Sequence, residues 1–388
     1  MSVKLNEYHV SRRTGFLLED PLEKLPDYFE DWNWLSANAP DLISSHTLRR
    51  EVEKIPILDY TRLIGYRELR LAHIQLSIIG SCYVWQEGDA GVPKSIPACI
   101  AVPWWNISQQ IGLKPIIGHA SFCLANWKYR DPSQPVSHDN LVSLYVLPGE
   151  EACDWFCVAT CMVEFTFVEA LEAIQDVLDG SYEEDDVKVA NALIQITNTV
   201  DDMRKALKRM NEKLPADTFY NVLRPFLSGW GGESNPLPNG LIYEGISEEP
   251  VQLNGGSAAQ SSTLQLLDSL LGIQHKPDKQ KFLNKMRDYM PPAHSKLIED
   301  VGNSSNFLKN LVNKTNNNRL QEAFNACVAA VTHLRSYHIQ LVTKYIVIMA
   351  NRNRSGKFEA VSKKGTGGTD LLPFLKELRD DTKETMVQ

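Results

Sequence analysis

The strongest constraint on the fold is a long helical pattern over residues 320–349. Its apolar side chains recur at alternating steps of three and four, which places them along one stripe of an α-helix; they are Phe324, Cys327, Val331, Leu334, Leu341 and Tyr345. Helical periodicity recurs along the rest of the sequence, without strong hairpin signals or internal repeats. The sequence therefore predicts an all-α fold.

A chain of 388 residues exceeds one ordinary domain. Proline-marked connections and a polar stretch that ends near Pro148 divide it into a small N-terminal region, residues 1–147, and a large C-terminal region, residues 148–388. Besides 320–349, the pattern predicts helices over residues 41–54, 66–85, 152–178, 185–214 and 371–381. We therefore expect two helical domains.

Charge and hydropathy exclude several classes of function. The formal net charge is -8, and lysine and arginine line no single face, so no electrostatic footprint for nucleic acid is evident. No run of residues is long and apolar enough for a membrane span, and the N-terminal residues lack the apolar core of a signal peptide. We expect a cytoplasmic protein whose partner is a small ligand or another protein.

Seven cysteines are scattered without the spacing of a disulfide framework. Cys153, Cys157 and Cys161 recur every four residues, which would align them on one helix face like part of a metal site. No fourth cysteine or histidine stands at ligand spacing nearby. The favoured interpretation is three buried free thiols.

His338 falls on the apolar stripe of the long helix. A buried imidazole needs a partner, because an unpaired buried polar group costs about 1–3 kcal/mol. It is therefore either hydrogen-bonded within the core or a metal ligand, and the pattern alone favours the first. His73 is the second candidate ligand, whereas His333 lies about 140° around the helix and is predicted to be solvated.

Arg224 stands among apolar residues in FYNVLRPFL. Its guanidinium either extends to solvent, the commoner outcome, or grips a carboxylate in a pocket with Phe219 as an apolar wall. Pro225 follows directly, and a residue before proline is biased away from the α region. Because of that bias, the sequence alone does not determine whether the arginine side chain points into the pocket.

Two small-residue segments complete the candidates. Residues 255–259 allow close backbone approach, and their N–H groups could form a concave nest for a carboxylate. Residues 365–369, GTGGT, lack the phosphate-binding pattern that follows a strand, and are interpreted as a flexible lid with Gly367 and Gly368 as hinges. No motif of hydrolase chemistry is found in the sequence.

Several segments together resemble a known family. LRSYHIQLVTKYI, FYNVLRPFLSGW, GGSAAQSS, RDYMPPAH and KGTGGTDLLPFLK are similar to segments of indoleamine 2,3-dioxygenase, in the same order and at compatible spacing. RLAHIQLS, YVWQEGD and LANWKYRDP extend the similarity through the N-terminal half. The resemblance implies a two-domain helical haem dioxygenase fold, with haem b in the large C-terminal domain. It implies insertion of both atoms of O2 into the indole C2=C3 bond of L-tryptophan, giving N-formylkynurenine, with an electron donor that keeps the iron ferrous.

The same resemblance implies roles for individual residues. His338 would be the axial ligand of the haem iron, and Arg224 would hold the substrate carboxylate. Phe219 would pack on the indole, and Phe156 would be the aromatic residue deep in the distal pocket. The other residues carried over are Gly256, Ser257 and Ala258 over the haem, Thr366 in the lid, and Arg335 with Asp268 near a haem propionate.

Some residues depart from the family pattern along the substrate pocket. Thr160 stands where the strongly active enzyme has a serine, His119 replaces a tyrosine, Phe122 a cysteine and Cys157 an aromatic residue. The methyl group of Thr160 would crowd a flat indole, because overfilling a packed cavity costs about 1–3 kcal/mol. The alternative is that the Thr160 hydroxyl bonds back to the carbonyl of Phe156 and the methyl group packs harmlessly. These departures predict weak binding of L-tryptophan.

Two other functions stay open. Molluscan myoglobins share the fold and store oxygen, although a pure oxygen carrier needs no carboxylate clamp such as Arg224. Leu241, Tyr243 and Ile246 fit the loose pattern of a phosphotyrosine signalling motif. A packed tyrosine is the favoured interpretation of that pattern.

Overall fold

The computed structural model describes residues 4–352 and 371–387. These parts of the chain are mainly α-helical. The α-helices are α1 Glu30–Ala37, α2 Ala39–Ser44, α3 Leu48–Val52, α4 Gly65–Trp85, α5 Ala98–Ile111, α6 His119–Phe122, α7 Glu150–Thr166, α8 Val168–Glu183, α9 Asp186–Lys208, α10 Met210–Lys213, α11 Ala216–Thr218, α12 Ser262–Leu271, α13 Pro277–Arg287, α14 Pro292–Lys314, α15 Asn318–Val342, α16 Ile348–Arg352 and α17 Leu371–Lys383.

Short segments of other geometry connect these helices. The π-helical segments are Phe219–Leu223 and Thr343–Val347. The 3-10 helices are Leu5–Tyr8, Asp27–Phe29, Tyr60–Arg62, Asp89–Gly91, Arg224–Leu227 and Ala258–Gln260. The strands are β1 Ser95–Ile96, β2 Lys128–Tyr129, β3 Leu141–Val142 and β4 Ile242–Tyr243. The prediction of an all-α fold is confirmed.

Long helices pack side by side in the C-terminal part of the chain. α9 lies between α8 and α15 and also contacts α7, while α12 and α8 contact α14 and α17 packs on α15. In the N-terminal part, α4 is buried along most of its length and packs against α1 and α5. One apolar core runs from Val10 to Tyr345 through both parts.

Several predicted helices are interrupted. The predicted helix 152–178 divides into α7 and α8 at Phe167, which is fully buried and stacks on Phe16 with ring centroids 6.2 Å apart. The predicted helix 41–54 ends as α2 and restarts as α3, because His46 adopts a left-handed conformation with φ of 56°. The predictions were therefore right that these residues are helical and wrong that each of the two segments forms one continuous helix.

The two short strand pairs contribute little regular structure, but one pair joins distant parts of the chain. β1 runs parallel to β4, with Ser95 opposite Ile242 and Ile96 opposite Tyr243. β2 and β3 pair antiparallel. Tyr243 is fully buried, and its hydroxyl donates to the Pro115 carbonyl oxygen at 2.6 Å. The interpretation of Tyr243 as a packed residue is confirmed, and this hydroxyl is closed to a kinase in the folded chain.

All seven cysteines are buried and free. Cys157 and Cys161 donate to the carbonyl oxygens of Phe122 and Cys123, at 3.5 and 3.1 Å. Within residues 4–352 and 371–387, no group of three or more histidine, cysteine or acidic side chains is placed to hold a metal ion. The interpretation as buried free thiols is confirmed. Nor is any helix of these two ranges long and apolar enough to cross a bilayer.

Candidate active site

A cavity of about 310 Å³ lies between the helices of the C-terminal part and the short helix α6. Its lining is mostly apolar. The sequence-predicted site residues that line it are His119, Phe122, Phe156, Thr160, Phe219, Arg224, Gly256, Ser257, Ala258, Asp268, Arg335 and His338. Thr366, with the rest of the predicted lid, lies outside the described residues.

His338 reaches the cavity from α15. No side chain or backbone group in residues 4–352 and 371–387 hydrogen-bonds its imidazole. Burial, with a smaller contribution from the Arg335 charge, lowers the pKa of His338 to about 4. The ring is therefore neutral at physiological pH and presents a nitrogen lone pair, which is the form that ligates a metal.

The other histidines on comparable helix positions are already accounted for. His73 is fully buried in α4, where its ring nitrogens contact the Ser121 hydroxyl at 2.6 Å and the Lys114 carbonyl oxygen at 3.0 Å. His333 is exposed, as predicted. His73 is thus a hydrogen-bonded core histidine and does not line the cavity.

Arg224 lies at the junction of the π-helical segment Phe219–Leu223 and the 3-10 helix Arg224–Leu227. Its backbone is in the α region, with φ of -55° and ψ of -37°, so the expected effect of Pro225 was wrong. The side chain does not extend to solvent: it is 1% exposed, and its guanidinium carbon lies 5.5 Å from the centroid of the Tyr220 ring. Burial lowers the pKa of Arg224 to about 10, which leaves the group charged at neutral pH.

The arginine keeps this backbone conformation at a junction between two helix geometries. Proline disfavours the α region for the preceding residue through steric crowding. The wider turn of Phe219–Leu223, followed by the tighter 3-10 turn, changes the local helix geometry at this junction. The sequence rule addressed one residue, whereas the conformation depends on the segment.

Aromatic rings form one wall of the cavity. Phe156 and Phe219 have centroids 5.5 Å apart, and Phe219 meets the edge of Tyr345, also at 5.5 Å. The Tyr345 hydroxyl donates to the Leu214 carbonyl oxygen at 2.9 Å, which fixes that ring. The wall therefore offers apolar ring surfaces in the cavity that Arg224 also lines.

Thr160 stands one turn after Phe156 on α7 and lines the same cavity. Its hydroxyl donates to the Phe156 carbonyl oxygen at 2.8 Å. The hydroxyl is thereby used within the helix. The remaining difference from a serine is the methyl group, and its effect on a ligand stays a prediction.

A buried carboxylate also lies on the cavity wall, and the sequence analysis did not identify it. Glu164 is 3% exposed and accepts hydrogen bonds from His119 Nε2 at 3.0 Å, from Ser261 Oγ at 2.8 Å and from Thr263 Oγ1. Burial alone would raise the pKa of Glu164, but the hydrogen bonds from His119, Thr263 and Ser261 together with the histidine charge outweigh burial and lower it. Its spacing of four from Thr160 was a signal that could have placed it on the same helix face.

The small-residue segment is built differently from the expected nest. Gly255 lies so close to the backbone that a Cβ there would stand 2.2 Å from the Leu227 carbonyl oxygen. The Gly256 N–H donates to that Leu227 oxygen at 3.0 Å, and the Ala259 N–H donates to Ser257 Oγ at 3.2 Å. Because these two N–H groups bind within the protein, the prediction of a nest built from the whole segment was wrong. This segment, which has no large side chains, lines the cavity mainly with its backbone.

Arg335 and Asp268 form a buried ion pair at the edge of the cavity. Arg335 Nη2 lies 2.8 and 2.6 Å from the two carboxylate oxygens of Asp268. Asp268 also contacts His275 Nε2 at 3.1 Å, and His275 Nδ1 contacts Asp381 of α17 at 3.2 Å. The Arg335 Nη1 group donates to Thr382 of the same helix. This network fastens α17 to the cavity wall, and contact with a haem propionate stays a prediction.

Cys157 does not line the cavity. It is fully buried behind Phe122. The expectation that it forms part of the pocket wall was therefore wrong, because its position on α7 turns it towards α6 and away from the face shared by Phe156 and Thr160.

Comparison with known proteins finds relatives that are similar to almost the whole chain. A family model described as indoleamine 2,3-dioxygenase matches residues 4–385. A protein named myoglobin from Haliotis madaka is 46% identical over 382 residues, covering 98% of each chain. Human indoleamine 2,3-dioxygenase 2 is 38% identical, covering 99% of this chain and 96% of its own, and rat indoleamine 2,3-dioxygenase 1 is 39% identical with the same coverage.

The haem on which this family depends can be tested against the cavity. The cavity has a neutral imidazole that no described residue binds, at His338, and a thin backbone at Gly256. Apolar lining with one nitrogen donor fits a flat, mainly apolar group held by axial ligation. Haem is the cofactor, and the chain belongs to the indoleamine 2,3-dioxygenase family.

Proposed function

We propose that this protein opens the indole ring of L-tryptophan, inserting both atoms of O2 at the C2=C3 bond to give N-formylkynurenine. The observation that carries the proposal is a fully buried, charged arginine beside an aromatic wall in the same cavity as His338. A carboxylate and a flat ring are the two parts of an aromatic amino acid that such a pair of surfaces recognises.

His338 would hold the haem iron through its neutral imidazole. The bound haem would supply the activation of O2 and the oxidising chemistry, which protein side chains lack. Gly256, Ser257 and Ala258 would allow close approach to its plane. Arg335 with Asp268 would lie near a propionate.

The substrate would be oriented by the remaining residues of the cavity. The Arg224 guanidinium would bind the carboxylate, while Phe156 and Phe219 pack on the indole and exclude water. Fixing the ring in one orientation lowers the entropic part of the barrier. Thr160, Phe122 and His119 would shape the far wall, and the methyl group of Thr160 would weaken binding.

Activity is tested with haem-loaded protein, L-tryptophan, a reductant and isotopically labelled O2. We expect N-formylkynurenine whose mass shows both oxygen atoms from O2. Haem-loaded protein that binds O2 reversibly and forms no product would refute the proposal.

A second candidate is oxygen binding without catalysis. The relative named myoglobin is 46% identical, above the 38–39% of the relatives named indoleamine 2,3-dioxygenase. The labelled-oxygen experiment separates the two functions, since an oxygen carrier gives an oxygenated spectrum and no labelled product. L-Tryptophan, O2 and an electron donor as partners, and a cytoplasmic location, are part of the proposal.

A further inference from the structure

His275 joins the C-terminal helix α17 to the wall of the cavity through both of its ring nitrogens. Nε2 lies 3.1 Å from Asp268 Oδ2 of α12, and Nδ1 lies 3.2 Å from Asp381 Oδ2 of α17. The imidazole is 1% exposed, and both carboxylates are buried. We call the arrangement of Asp268, His275 and Asp381 the histidine bridge.

The contact with Asp268 identifies the first hydrogen of the bridge. Both carboxylate oxygens of Asp268 also bind Arg335 Nη2. Burial would raise the pKa of Asp268, but the Arg335 charge and the hydrogen bond from His275 outweigh burial and lower it. Asp268 is therefore an ionised acceptor, and the Nε2 atom of His275 carries the hydrogen of this contact.

The contact with Asp381 needs a second hydrogen. Asp381 Oδ2 accepts the Lys276 backbone N–H at 3.3 Å while it also faces His275 Nδ1. A ring nitrogen and a carboxylate oxygen form a hydrogen bond only when one of them is protonated, because each is otherwise an acceptor. The bridge therefore holds one proton in addition to the Nε2 hydrogen, shared between His275 and Asp381.

The buried charges around the bridge balance only while the shared proton is present. With it, the charges of Asp268, Asp381, His275 and Arg335 cancel, whichever of the two partners carries the proton. Without it, one negative charge stays buried, which is costly. Within residues 4–352 and 371–387, no other positive side chain forms an ion pair with either aspartate; the charged side chains on the neighbouring elements are Lys276, Lys279, Arg287, Lys309 and Glu377.

We infer that the proton shared between His275 and Asp381 controls whether α17 closes the cavity. With the proton, the bridge holds α17 in place, and Leu371, Phe374 and Leu378 of this helix line the cavity. Loss of the proton leaves two acceptors 3.2 Å apart and an unbalanced buried charge, so α17 separates from the wall as the pH rises. This inference needs the haem of the family in the cavity, and it is independent of the substrate in the proposed function.

A second contact keeps the separation local. Arg335 Nη1 donates to Thr382 of α17, and a guanidinium does not titrate in the range of interest. Loss of the shared proton should therefore increase the opening of α17 without unfolding the protein.

The experiment measures amide hydrogen exchange of the haem-loaded protein between about pH 6.5 and pH 9, corrected for the pH dependence of the exchange chemistry. The readout is the protection of α17 relative to that of α9. Lysine side chains stay charged over this range. His338, whose pKa burial lowers to about 4, stays neutral.

We expect the relative protection of α17 to fall at least about tenfold over this range in the parent, as expected for loss of one charge-assisted hydrogen bond. His275→Gln removes the titrating ring, and Asp381→Asn supplies an amide N–H to Nδ1 without an added proton. Both variants should show a relative protection that is constant with pH. Glu377→Gln, which removes the contact of α17 with Lys276 and Lys279, is the control and should keep the fall seen in the parent.

The same proteins are tested for haem loss, measured as the rate of haem transfer to an excess of a haem-free acceptor protein. Because α17 forms part of the cavity wall, this rate should rise with pH in the parent and in Glu377→Gln, and stay level in His275→Gln and Asp381→Asn.

Two results would overturn the role of the shared proton: a parent whose α17 protection does not change with pH, or a fall that persists in both bridge variants. A haem transfer rate that stays level in the parent while the protection of α17 falls would overturn the link between the bridge and the cavity. Each of these results would leave the proposed reaction with L-tryptophan standing, because the histidine bridge does not take part in it.

Discussion

The imidazole of His338 is the residue on which haem retention depends in the proposed function. His338→Ala removes the neutral nitrogen that lines the cavity. Among the described residues, His119 is the one other histidine in the cavity lining. We expect loss of stable haem binding, measured as haem per protein after gel filtration. His333→Ala, an exposed histidine on the same helix, is the control and should keep its haem. A normal Soret band in His338→Ala would assign the iron to another residue.

Arg224→Ala tests the carboxylate site. The variant should keep the haem spectrum and O2 binding while losing tryptophan turnover. The substitution removes the guanidinium that, in the proposed function, pairs with the substrate carboxylate inside the cavity. Such losses are roughly 2–5 kcal/mol, or about 30-fold to several-thousand-fold in kcat/KM. Arg12→Ala, at an exposed arginine, is the control. Unchanged kcat/KM in Arg224→Ala would place the substrate carboxylate elsewhere.

The contribution of the Thr160 methyl group can be isolated because the hydroxyl is bound within the helix. Thr160→Ser keeps that hydrogen bond possible and removes only the methyl group. Relief of crowding should lower KM for L-tryptophan at least about threefold. Thr166→Ser is a matched control: its hydroxyl donates to the Met162 carbonyl oxygen at 2.7 Å, and this threonine is not part of the cavity lining. Equal KM values in the parent and Thr160→Ser would exclude the methyl group as a cause of weak binding.

Single residues differ in how far the sequence reveals them. The position of His338 on the apolar stripe of the long helix predicted that it lies on a buried helix face. Whether its imidazole ligates a metal depends on the space between that face and the opposite cavity wall. For Glu164, a charged residue on a helix is usually solvated, so its burial could not be inferred without the hydroxyls of Ser261 and Thr263, which come from a distant segment. Long-range partners are what local patterns omit.

At the scale of elements, the buried network around His275 holds the C-terminal helix α17 against the cavity. Leu371, Phe374 and Leu378 of that helix line the cavity, so its position also affects the ligand site. Asp381→Asn removes the charge that faces His275, and we expect faster amide hydrogen exchange throughout α17 with little change in α12. The adjacent Asp380→Asn is the control, because Asp380 forms an exposed pair with Arg379. Equal exchange in both variants would show that apolar packing alone holds α17.

Element boundaries were predicted less well than element types. Periodicity identified the helix 66–85, which the structure has as Gly65–Trp85, since its apolar residues continue without a breaker. It did not reveal the change to π geometry at Thr343, because one wider turn shifts the stripe only slightly. The break at Phe167 likewise depends on packing against Phe16, a residue far away in the sequence.

For the whole molecule, buried neutral histidines predict acid sensitivity. Burial lowers the pKa of both His73 and His294 to about 3, so each takes up a proton in the unfolded chain, where its pKa is about 6.5, before it can do so in the folded one. Their contribution to stability is complete above about pH 6.5 and falls below it by up to about 1.4 kcal/mol per pH unit for each histidine. Urea unfolding of the protein between about pH 7 and pH 5 measures this slope.

His73→Gln should reduce that slope by the share of one histidine, because the amide can keep hydrogen bonds to Ser121 and Lys114 without titrating. A slope unaffected by the substitution would mean that His73 takes up its proton in the folded chain as readily as in the unfolded chain, which would contradict the lowered pKa. The acidic residues of the cavity do not account for the effect, since carboxyl groups in unfolded chains take up protons mainly below about pH 5.

The division into residues 1–147 and 148–388 stays a prediction. Composition and proline spacing suggested it, but the apolar core includes residues from both ranges, and β1 pairs with β4 across the proposed boundary. Family membership, by contrast, concerns the whole molecule, because the matched residues 4–385 include both regions.

The pairing of β1 with β4 also bears on how the chain is made. Ile96 leaves the ribosome long before Tyr243, yet both are fully buried side by side in the finished protein. At about 5–20 residues per second, the first strand waits on the order of ten seconds for its partner. During synthesis its apolar surroundings are therefore open to chaperones and to other nascent chains. Slowing translation before β4 should prolong that exposure and lower the yield of native protein.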